Sequence, residues 1–112
     1  AVSINELVIN TLKPLNIPIT AIQNSIKDLD KYIILIPLYE AFDVYADNKP
    51  TIEIQEVQLA IYCKGNYLAL KKQITTLLID AGFIITNRKY IEYEEDTKLH
   101  HYVIDTAVEF CY

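Results

Sequence analysis

The sequence predicts an α+β fold built from one helix, two or three strands, a second helix and two final strands. These elements form a single, mainly antiparallel sheet packed by two helices, as one domain over residues 1–112. Three observations carry this. The chain has 112 residues, of which 52% are hydrophobic and 22% charged, enough apolar mass for one core. Two stretches repeat apolar residues every three to four positions behind capping residues. Most of the remainder is alternating or rich in β-branched and aromatic side chains, which suit a pleated surface. With two glycines and no repeat or low-complexity tract, nothing in the chain marks a flexible linker.

The first helix begins at an S-x-x-E capping box, Ser3 and Glu6. Ile4, Leu7, Val8, Leu12 and Leu15 follow on one stripe, and Pro14 and Pro18 set its end near residue 13. Residues 16–30 carry no clean period; Thr20–Asp30 fits either a short helical turn or an irregular loop. From Lys31 the pattern turns to β, with strands over Tyr32–Tyr39 and Ala41–Ala46. Pro37 has no N–H to give a ladder and therefore belongs at an edge or a bulge.

Asp47-Asn48-Lys49-Pro50 is a turn, because Asp and Asn bond their own backbone and Pro fixes φ. The next strand alternates, with Val57, Leu59, Ile61 and Cys63 on one face and Gln58, Ala60 and Tyr62 on the other. Gly65-Asn66 ends it, and Asn66 caps a second helix whose stripe is Tyr67, Leu70, Ile74, Leu77, Leu78 and Ala81. Gly82 stands where a left-handed C-terminal cap is needed. Phe83–Glu94 reads as a strand, Glu95–Lys98 as a turn and Leu99–Tyr112 as the last strand. There Tyr102, Ile104, Thr106, Val108 and Phe110 share a face, with His101, Asp105 and Glu109 opposite.

Composition excludes several classes of function. No run approaches the ~20 apolar residues of a membrane helix, and no charged-then-apolar signal segment opens the chain. Ten basic residues stand against fifteen acidic ones, a net charge of −5, and Arg88 is the single arginine. Duplex binding, which depends on neutralised phosphates, is disfavoured. Two cysteines, Cys63 and Cys111, are too few for a disulfide scaffold and read as thiols of a cytosolic protein.

Catalytic and metal chemistry find little support. Glu92, Glu94, Glu95 and Asp96 concentrate charge, but without the glycine and spacing of a calcium loop they read as a solvated hairpin tip. His100 and His101 are adjacent in a strand, so their rings point to opposite faces and cannot easily share an ion. Cys63, a histidine and Asp105 could meet across neighbouring strands as a nucleophilic constellation. Cys63, however, lies on an apolar face, where burial raises a thiol pKa. No phosphate-binding or nucleophile-elbow motif occurs. The reading is a protein that is not an enzyme and takes no cofactor or metal.

Nine tyrosines in 112 residues are the more informative population. Tyr62, Tyr90 and Tyr93 fall at outward strand positions, and tyrosine suits interfaces by joining an apolar body to a polar tip. With the polar turn at Asp47 and Asn48 and the tip at Glu94, Glu95 and Asp96, they form the candidate interface. Tyrosines that merely cover a sheet beneath a helix are the alternative at each position. A small domain with no site and a large aromatic surface reads as a subunit of an assembly; a small adaptor or regulatory binding module without catalysis is the alternative.

Four segments, in order, resemble one family. They are Tyr45-Ala46-Asp47-Asn48, the strand-to-helix run Val57-Gln58-Leu59-Ala60-Ile61-Tyr62-Cys63-Lys64-Gly65-Asn66-Tyr67, Gly82-Phe83, and Tyr93-Glu94-Glu95-Asp96-Thr97-Lys98-Leu99-His100-His101. Together they are similar to the small tail-completion proteins of tailed phages and prophages, over roughly residues 32–112. The resemblance implies a tail terminator or head-to-tail joining subunit, present in the virion neck or tail and assembled in the bacterial host cytoplasm. It implies a homo-oligomer, commonly a hexameric ring, that caps the tail tube and meets the head connector. It brings no catalytic residues. Six copies would carry about −30 charges, and an acidic lumen would let DNA pass without sticking.

Overall fold

A computed structural model of the protein describes residues 3–21, 29–44 and 50–111; for residues 39–44, 50–51 and 111 it describes the backbone alone. Helix α1 spans Ile4–Leu12, and its first turn is closed by the Glu6 N–H donating to Ser3 Oγ at 3.2 Å. A 3₁₀ turn over Lys13–Leu15 follows, where Pro14 ends the regular ladder, and Asn16 turns the chain with φ 59°. The chain then forms β1 (Ile19–Thr20), β2 (Lys31–Val44), β3 (Pro50–Cys63), helix α2 (Tyr67–Asp80), β4 (Ile84–Glu94) and β5 (Leu99–Cys111).

The strands make one sheet in the order β1-β2-β3-β5-β4, antiparallel except for β1, which runs parallel to β2. The α+β class and the helix–strands–helix–strands order expected from sequence are what the molecule has. Two details differ. The two strands expected over Tyr32–Tyr39 and Ala41–Ala46 are one strand through Val44, with a bulge between Pro37 and Tyr39 that absorbs the proline. The third strand before α2 is instead β1, inside the segment without a clean period; two residues are too short to show an alternation.

Both helices lie on the same face of the sheet. Ile4, Val8 and Leu12 of α1 and Leu70, Ile74 and Leu78 of α2 close over Ile33, Leu35, Val57, Leu59, Ile61, Tyr102 and Ile104 in one core. Each such side chain, fully buried, contributes about 1.5–3 kcal/mol. The anticipated apolar face of β3, from Val57 to Cys63, is the face that meets the helices. α2 ends in a Schellman motif: the Phe83 N–H donates to the Leu78 carbonyl and the Gly82 N–H to that of Ile79, both at 3.0 Å, while Gly82 takes φ 93°. Thr106 is wholly buried, and its hydroxyl donates to the Ile84 carbonyl at 2.9 Å, tying β5 to β4.

Candidate interaction surface

The register of β4 against β5 decides which side chains meet at the sheet's outer edge. Tyr90 pairs with Tyr102, Glu92 with His101 and Tyr93 with His100, so Ile91 is an extra residue inserted between two pairs. In an unbroken strand, residues three apart point to opposite faces. The bulge at Ile91 cancels that alternation and turns both Tyr90 and Tyr93 to the helix side.

There they gather around His100. Its ring centroid lies 4.9 Å from that of Tyr93, 6.0 Å from that of Tyr90 and 4.6 Å from that of Tyr67, at the start of α2. The Tyr90 hydroxyl and His100 Nδ1 are 3.0 Å apart, a hydrogen bond. Lys71 Nζ sits 5.4 Å above the Tyr102 ring, within cation–π range. Tyr67 is placed by the α2 cap, in which the Ala69 N–H donates to Asn66 Oδ1 at 3.2 Å. Tyr90 and Tyr93 remain 39% and 46% exposed, and Ile91 42%, so this edge shows aromatic and aliphatic surface to solvent.

The acidic tip adjoins it. Glu94 is half-buried, accepts a hydrogen bond from Thr97 Oγ1 at 3.1 Å, and closes the turn by accepting the Lys98 N–H on its carbonyl at 2.7 Å. Glu92, Glu95 and Asp96 are exposed. Tyr90, Tyr93, Glu94, Glu95 and Asp96 therefore form one continuous patch at one corner of the molecule.

Tyr62 belongs elsewhere. It lies on the sheet face turned away from the helices, half-buried in a three-strand ladder of rings. Tyr32 stacks on one side of it at 4.6 Å and His101 on the other at 4.2 Å, with interplanar angles of 18° and 16°. This ladder was not legible in the sequence, because it depends on Tyr32, Tyr62 and His101 falling into one cross-strand row. Burial raises the Tyr32 and Tyr62 hydroxyl pKa values and pushes the His101 imidazole below its ordinary range, against the pull of Glu94 and Glu92. His101 Nε2 is buried with no hydrogen-bond partner among the described residues. The same face carries Gln58, whose Nε2 donates to Asp105 Oδ1 at 3.0 Å. Asp47 and Asn48 lie outside the described residues.

The groups considered for chemistry do not converge. His100 and His101 point to opposite faces, one into each ring cluster. Cys63 is buried on the helix side, its Sγ–H donates to the Lys64 carbonyl at 3.3 Å, and burial pushes its thiol pKa up. Asp105 stands on the other face with Gln58. Among the described residues no three histidine, cysteine or carboxylate side chains are placed to hold a metal ion, and no helix is long and apolar enough to cross a membrane. No protein-family model matches the chain, and no curated protein matches it.

Proposed function

We propose that the protein is a structural subunit of a phage neck or tail. As a tail terminator or head-to-tail joining protein, it caps the tail tube and offers a ring surface to the head connector. The observation that carries this reading is the exposed corner of Tyr90, Ile91, Tyr93 and the acidic tip, an aromatic and charged surface larger than the core requires. The ordered resemblance of four sequence segments to tail-completion proteins supports it independently.

Function in such a subunit lies in contacts. Copies meeting head to tail close into a ring when the rotation between them closes. A net charge of −5 on each copy favours a lumen that repels phosphate, so DNA passes without specific binding. Stopping tube growth then needs only a surface that fits the last tube subunits and does not repeat their outer face.

The test is deletion of the reading frame from the genome that carries it, with the lysate examined by electron microscopy. Tail termination and joining predict filled heads without tails and tubes of uncontrolled length, both corrected by supplying the gene in trans. Normal tailed particles after deletion would contradict the proposal. A strictly monomeric protein bound to one unrelated partner would identify the adaptor module instead.

A further inference from the structure

The two lateral edges of the sheet are unlike. One cross-strand row runs from Ile19 in β1 through Ile33, Ile61 and Tyr102 to Tyr90 in β4. The β1 edge and the aromatic corner of β4 therefore stand at the same level, on opposite sides of the molecule. At the β1 edge, α1 and the following turn leave a groove of about 400 Å³ lined by Ile9, Ile17, Pro18 and Ile19 together with the polar Asn10, Lys13 and Asn16. Its wall is mixed, with an apolar strip formed by four of its seven lining residues, and Ile9 is exposed.

The charges near the two surfaces are opposite. Lys13 on the groove and Lys31, two residues before the β1 partner Ile33, are both exposed. Asp30, next to Lys31 in the chain, pairs with Lys64 at 3.3 Å. The β4 corner carries Glu94, Glu95 and Asp96 beside Tyr93, outnumbering the exposed Lys89 and Lys98, while Glu92 pairs with His101 and lies on the other face.

Strand addition is disfavoured at both edges. β4 is interrupted by bulges at Thr86 and Ile91, β2 carries Pro37 and a bulge in its pairing with β3, and β1 has two residues. Such features work against edge pairing and leave side-chain docking as the route.

We propose that the partner of the α1–β1 groove is the β4 corner of a second copy of this chain. Tyr93 and Ile91 fill the groove, and Glu95 and Asp96 face Lys13 and Lys31. Each copy uses both surfaces once, a head-to-tail contact that either closes or runs on. The inference rests on the assembly reading above and specifies which surfaces build it.

The experiment uses the full chain with Cys111→Ser, leaving Cys63 buried, and two single variants, Tyr93→Cys and Ile9→Cys. Oxidised together, they should give a disulfide-linked dimer that neither variant gives alone. A second pair tests the charges: Glu95→Lys/Asp96→Lys and Lys13→Glu/Lys31→Glu should each weaken self-association by at least about tenfold. Mixing the two charge variants should restore it, because each reversed surface then meets its complement. No mixed disulfide, or an equal yield from Tyr93→Cys alone, would overturn the proposal. Closed rings without the mixed disulfide would keep the assembly reading and remove this interface. The mixed disulfide in open chains would keep the interface and remove the ring.

Discussion

His101 illustrates how much of a residue's behaviour depends on its row in the sheet. In sequence it is one of two adjacent histidines; in the fold it is the end of a stack with Tyr62 and Tyr32, its Nε2 buried and without a hydrogen-bond partner among the described residues. Burial lowers its pKa against the opposing influence of Glu94 and Glu92. Between that lowered value and about 6.5, the unfolded chain binds more protons than the folded one, so stability falls as pH drops through the window. His101→Phe keeps the ring stack and removes the titration. Chemical denaturation at about pH 8 and about pH 5 should show a smaller loss of stability on acidification for the variant than for the wild type. Equal losses would show that the stack does not disfavour the imidazolium. In the core, Ile74→Ala should cost about 2–5 kcal/mol in the same assay, since Ile74 is wholly buried between α2 and the sheet.

Among the elements, α2 was the most legible, because its signals are local. Asn66 caps it, the stripe Leu70, Ile74 and Leu78 repeats at helical spacing, and Gly82 supplies the left-handed residue of the Schellman motif. Asn66→Ala should cost about 0.5–2 kcal/mol. A Cβ at Gly82 would meet no atom within 4 Å, so Gly82→Ala should cost about 1–2 kcal/mol through its positive φ alone. Thermal melts of both variants check these values, and an unchanged Gly82→Ala would show that the cap tolerates an L residue. β1 and the Ile91 bulge were illegible for the opposite reason. A two-residue strand exists only because Ile19 and Thr20 find Ile33 and Ile34, and a bulge is defined by its partner strand. Alternation also marks Ala60 as outward, yet it is buried between its row neighbours Ile34 and Val103. Of the candidate interface, Tyr90 and Tyr93 were readable as exposed aromatics, but their meeting on one face was not.

At the scale of the molecule, the long β2–β3 pair sets the shape. Fourteen residues at about 3.3 Å each give a strand of roughly 46 Å. The protein accordingly measures 55 × 27 × 22 Å, with a radius of gyration of 15.3 Å against about 13 Å for a compact chain of this length. An elongated sheet with helices on one face and unlike lateral edges suits side-by-side packing. The acidic corner makes the proposed contact sensitive to ionic strength, so association should weaken as salt screens it beyond about 0.1 M. The central claim is that the chain acts by assembling, without chemistry of its own. Sedimentation velocity over rising concentration, alone and with purified tail tubes, tests it most directly. Assembly as a terminator ring predicts a discrete species near six times the 12.9 kDa chain mass, formed in solution or at the tube end. A chain that stays monomeric at every concentration and leaves the tubes unbound would contradict it.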